Sequence, residues 1–103
     1  MTYQLVFQFK GDSLADFDMM VSVEEKMNDQ IGNLGEVDGH DIGSGEVNIF
    51  VITKDPMAAF LQMKSVLENL NLLSTVSIAY GEIESDSFAV VWPENSKQEF
   101  SVA

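Results

Sequence analysis

Along residues 1–82 the hydrophobic period switches back and forth between two and about 3.6 residues, and the order of those switches limits the folds open to the chain. Tyr3 to Phe9 alternates, with Tyr3, Leu5, Phe7 and Phe9 on one face and Gln4, Val6 and Gln8 on the other, as in a half-buried strand. Gly11 and Asp12 break it. Ser13 with Asp16 resembles a capping box, and Leu14, Phe17, Val21, Met27 and Ile31 recur at three-to-four spacing, with Met20 and Glu24 filling the turns. That pattern predicts a helix over 13–31, stopped by Gly32, Asn33 and Gly35. From Leu34 to Thr53 two strands are joined by a connection in which Gly39, Gly43 and Gly45 suit a hairpin with a bulge. Val47, Ile49 and Val51 then alternate with Asn48, Phe50 and Ile52, and two largely apolar faces are what an interior strand requires. Asp55 before Pro56 is a strong helix start, and Ala59, Phe60, Met63, Val66, Leu67 and Leu70 trace one face of a second helix to about Asn71. Thr75 to Gly81 reads as a fourth strand, with Val76, Ile78 and Tyr80 facing one way and Ser77 and Ala79 the other.

The order β-α-β-β-α-β predicts an α+β chain of the ferredoxin-like, split βαβ kind, a four-stranded antiparallel sheet with both helices on one face. One domain is expected over residues 1–103, with its core in about 1–82, because a chain of 103 residues can bury a core without a staple. Past Gly81 the character changes. Glu82 to Asp86 is a polar turn, and Phe88 to Trp92 and Glu99 to Val102 are short apolar segments. This C-terminal extension is expected to form an extra edge hairpin, to lie along the open sheet face, or to reach a partner subunit.

Seventeen Asp and Glu stand against five Lys, with no Arg, for a formal net charge of −12. A phosphate backbone is repelled at long range, and the side chain best suited to bidentate phosphate recognition is missing, so direct nucleic-acid binding is not expected. Docking on anionic membranes is disfavoured for the same reason, and the charge speeds encounters with basic proteins or cationic ligands. No apolar run approaches the ~20 residues of a membrane span, and the N-terminal residues begin alternating at once, unlike a signal peptide. The expected location is cytoplasmic. The absence of cysteine rules out disulfides, thiolate metal sites and cysteine nucleophiles.

Asp38, His40, Asp41, Glu46 and Asn48 form the densest set of potential ligands or acid/base groups. Hard cations favour clustered carboxylate and amide oxygens, but the spacing is not that of an EF-hand loop, and one histidine cannot build a two-histidine zinc or iron site. A solvated hairpin with local side-chain to backbone hydrogen bonds accounts for the same residues. The serines lack a nucleophile elbow, and Gly43 and Gly45 lack the third glycine and following helix of a dinucleotide fingerprint. No catalytic residue, cofactor or metal ligand is assigned. Met19, Met20, Met27, Met57 and Met63 lie on or beside the helices and read as core packing. Trp92 is a candidate contact residue, because tryptophan is enriched where a partner buries it, and a tail tryptophan covering its own sheet accounts for it equally well.

The run Gly39 to Phe50, preceded by Glu36-Val37-Asp38 and followed by Asp55-Pro56, resembles small bacterial proteins of uncharacterised function that carry an acidic G-x-G-E-x-N hairpin in a β-α-β-β-α-β frame. The resemblance covers about residues 1 to 82 and implies the ferredoxin-like fold, with no activity to carry over. The leading expectation is a non-enzymatic acidic interaction module, dimeric through its sheet or edge strands. An open sheet face lined by Val6, Phe50 or Ile52 would drive that pairing. Two alternatives stand beside it. One is a metal- or small-ligand sensor or enzyme with its site between the Asp38 to Asn48 hairpin and the tail around Trp92. The other is an acidic mimic of nucleic acid, with its carboxylates spaced along one face.

Overall fold

In the computed structural model, which describes residues 2–10, 17–43, 46–84 and 87–93, the chain runs β1 (Tyr3–Lys10), α1 (Phe17–Ile31), β2 (Glu36–Gly43), β3 (Glu46–Thr53), α2 (Pro56–Asn69), β4 (Val76–Glu82) and β5 (Ala89–Trp92). Short 3-10 turns occupy Gly32–Leu34 and Leu73–Thr75. The strands form one sheet in the order β2-β3-β1-β4-β5, and every neighbouring pair is antiparallel. The protein is therefore α+β, with two helices and a five-stranded antiparallel sheet among the described residues. No described helix is long and apolar enough to cross a membrane.

The expected four strands gain a fifth. Part of the Phe88 to Trp92 segment folds back along β4, pairing Ala89 with Tyr80, Val90 with Ala79 and Trp92 with Ile78. The first of the two tail segments thus becomes an edge strand paired to β4, while the second arm of the expected extra hairpin lies outside the described residues. Ser13 to Asp16 and Glu99 to Val102 lie outside the described residues.

Both helices pack on the face of the sheet that carries Leu5, Phe7 and Phe9 of β1, Val47, Ile49 and Val51 of β3, and Val76 and Ile78 of β4. Strand alternation supplies that apolar face, and the helices supply Met20, Val23, Met27 and Ile31 from α1 and Ala59, Phe60, Met63 and Leu67 from α2. The α2 stripe is the expected one. On α1 the buried stripe is rotated: Val23 is in the core, and Val21, which the spacing had placed there, is only partly buried. Two overlapping apolar stripes run along this helix, and the sheet selects the one passing through Met20 and Val23. Met57 also departs from expectation, standing exposed on the outside of α2.

Helix ends follow their local chemistry. Asp55 caps α2 by accepting a hydrogen bond from the Ala58 amide at 3.1 Å, with Pro56 in the first turn. Asn71 takes a left-handed φ of 59° just past the other end, and Gly32 does the same after α1 with φ 55°. Gly35 is required for a different reason. A Cβ there would come within 2.5 Å of the Ile52 carbonyl oxygen, at the place where the Thr53 hydroxyl donates to the Leu34 carbonyl.

Gly35→Ala should accordingly lower stability by about 1–3 kcal/mol, because the new methyl meets backbone that cannot rotate away. Met63→Ala, which empties a fully buried position, should cost about 2–5 kcal/mol. Chemical denaturation of both variants tests this, and a Gly35→Ala midpoint equal to that of the parent would show that the strand ends yield freely.

Candidate functional site

The hairpin that concentrates polar residues in sequence divides them between the two faces of the sheet. In the β2–β3 ladder His40 lies opposite the core-facing Ile49, so it belongs to the helix side of the sheet, whereas Asp41 lies opposite Asn48 on the other side. Asp38 is the extra residue of a bulge, since Val37 pairs with Val51 and Gly39 with Phe50. Gly39 holds φ at 133°, which a residue with a side chain adopts only under strain. Glu46 opens β3 opposite Gly43. Of the five residues only Asp41 and Asn48 are direct cross-strand neighbours, and no group of three or more His, Asp or Glu is placed to hold a metal among the described residues.

Asn48 is fully buried on the face away from the helices. Its side-chain oxygen accepts a hydrogen bond from Gln8 Nε2 at 3.1 Å, across the β1–β3 register that sets the two residues opposite each other. No buried side-chain polar atom lacks a partner among the described residues. The same sheet face is not the bare apolar patch that the sequence suggested: Val6 and Ala79 are fully buried, and Phe50 and Ile52 are half-buried.

Trp92 lies at the opposite edge of the sheet from β2, with β3, β1 and β4 in between. At ~4.8 Å per strand that is roughly 19 Å, too far for the hairpin and this indole to wall one small-molecule site. The indole is engaged within its own chain. Its N–H donates to the Leu73 carbonyl at 2.8 Å, and the Lys64 ammonium sits 4.7 Å from the ring centroid.

What the fold does assemble is an acidic cleft that the sequence did not reveal. Glu24, Glu25 and Asn28 of α1 face Val37, Asp38 and Gly39 of β2 across an open hollow of about 300 Å³. His40 ties the two walls together, its Nδ1 lying 3.2 Å from Glu24 Oε2 and 3.4 Å from Oε1. Glu36, Asp38 and Asp41 are exposed along β2, and Glu25 and Asp29 are exposed on α1. Strand parity alone puts His40 on the helix side, but which helical residue meets it depends on how α1 is rotated, and the α1 pattern was ambiguous on that point. No protein-family model, curated protein or solved structure matches this chain. Chemistry must therefore be argued from these side chains. The cleft offers carboxylate oxygens beside an edge strand, an arrangement suited to cationic groups on an extended chain.

Two measurements follow from this geometry. Melting temperatures with and without Ca²⁺, Mg²⁺, Mn²⁺ and Zn²⁺ should match for the parent and Glu46→Gln, because His40 lies on the opposite face from Asp41 and Glu46, and the buried Asn48 amide is already engaged by Gln8. A site filled to a hundred times its dissociation constant would instead add ~2.7 kcal/mol that Glu46→Gln removes. Asn48→Ala should cost about 1–3 kcal/mol by removing a buried amide from its hydrogen bond, against about 0.5 kcal/mol or less for its exposed neighbour Asp41→Ala. Equal losses at the two positions would argue against the buried pair.

Proposed function

We propose that this protein is a ferredoxin-like, split βαβ interaction module that recognises a basic, extended segment of another protein along β2 and α1. The observation that carries the reading is the cleft in which Glu24 and Glu25 face Asp38 beside the outer edge of the sheet. An edge strand leaves backbone donors and acceptors for an added strand, and flanking side chains then choose the sequence. Carboxylates on both walls select lysine and arginine. The fold name is supported by the order of the first four strands, β2-β3-β1-β4, in which each helix links two strands that flank a third. The likeness to small bacterial proteins with an acidic hairpin belongs to the same reading, as does a cytoplasmic setting for this cysteine-free chain.

The sensor or enzyme alternative draws less support, because its two halves stand at opposite edges of the sheet. The acidic-mimic alternative is the nearer rival. It shares the exposed carboxylates of α1 and β2, and it differs in needing a rigid basic groove as its target instead of an extended chain.

A lysine-rich decapeptide titrated into isotopically labelled protein should shift the amides of residues 36–43 and 21–29 most, with affinity falling as salt rises. Glu25→Gln combined with Asp38→Asn should weaken binding severalfold, while Glu82→Gln with Glu84→Gln should change it little. Shifts centred on β5, or spread evenly over the surface, would remove the proposal.

A further inference from the structure

Leu61 is the most exposed large apolar side chain among the described residues, at 60%, and Met57, one turn earlier on the same side of α2, is 46% exposed. While α2 buries Ala59, Phe60, Met63 and Leu67, its opposite stripe carries Met57, Leu61, Ser65 and Glu68, all exposed, with exposed Lys54 just ahead of the helix. A lone surface leucine carries no message. The arrangement of charge about Leu61 does, because it is self-complementary.

We propose that α2 packs antiparallel against the α2 of a second copy of this chain, across a two-fold axis at Leu61. In such an isologous contact, residues equally far before and after the axis meet. Leu61 then meets the partner's Leu61, Met57 meets the partner's Ser65, and Lys54, in the bend just ahead of the helix, comes to the end of the contact that carries the partner's Glu68. Each apolar side chain gains a cover, and the two outermost charges face their opposites. Moving the axis one turn to Met57 sets Leu61 against the partner's Thr53. Moving it to Ser65 sets Leu61 against the partner's Asn69, and neither shift brings Lys54 to an acid. A shallow crossing of about 20° keeps both flanks within side-chain reach, and antiparallel helix dipoles favour the arrangement. The contact is small and lies on the outer surface of α2, apart from the cleft between α1 and β2. It is therefore a weak, concentration-dependent association that leaves the cleft free. Twelve net negative charges on each copy oppose it, so added salt strengthens it.

Sedimentation velocity from micromolar to millimolar protein tests the pairing, starting from the 11.4 kDa monomer. A reversible dimer is expected, weakened at least tenfold by Leu61→Glu, which brings two carboxylates together at the axis. Lys54→Glu and Glu68→Lys should each weaken it about threefold, and the double reversal should restore it. Because the chain has no cysteine, Leu61→Cys gives an independent readout. It should cross-link to itself under mild oxidation far faster than Ile83→Cys, which replaces an exposed side chain elsewhere. A monomer at every concentration, a dimer indifferent to Leu61→Glu, or equal cross-linking at the two cysteines overturns the proposal.

Discussion

Everything in this fold hangs on β1. Both of its edges are taken, by β3 on one side and β4 on the other, and Leu5, Val6, Phe7 and Phe9 are buried whichever face they point to. A strand with no free edge can be satisfied only by its two neighbours together. Those neighbours are the two strands that bracket α2, so one pairing event fixes the position of the second helix as well. β2 and β5 lie at the outside, each with a register irregularity where it pairs. The interior of the sheet is thus regular and its margins are not.

The sequence was legible where one physical constraint dominated. In β1 and β3 the period of two, combined with aromatic and β-branched residues, left no rival assignment. In α2 the Asp55-Pro56 start marked the beginning, and Ala59, Phe60, Met63 and Leu67 marked the buried face, with exposed Met57 the exception. Legibility failed where the local pattern allowed more than one solution. Met19, Met20, Val21 and Val23 allow α1 more than one rotation, and only the complementary surface of the sheet chooses between them. β5 was foreseeable as an apolar run, but whether such a run pairs, covers or leaves depends on the open edge of β4, which is a property of the assembled sheet.

The candidate site illustrates the same distinction on a smaller scale. Polar residues that crowd together along a strand are divided by the pleat, which sends His40 and Asp41 to opposite faces. Residues separated by a helix and a turn are brought together instead, as Glu24 is to His40 and Glu25 to Asp38. Sequence proximity therefore exaggerated the hairpin as a ligand cage and concealed the cleft beside it. The acidic character was evident from composition. Its focus on one edge became visible only once α1 lay against β2.

The indole of Trp92, held by the Leu73 carbonyl and the Lys64 ammonium, is the single tryptophan of the chain, and it sits on β5 at one margin of the sheet. Its fluorescence is consequently a local gauge. Emission will register detachment of the β5 margin, including excursions in which the β1-centred interior stays intact, so an optical unfolding curve and one followed by backbone signal need not coincide. That mismatch would be a signature of how this sheet comes apart, from its margin inward.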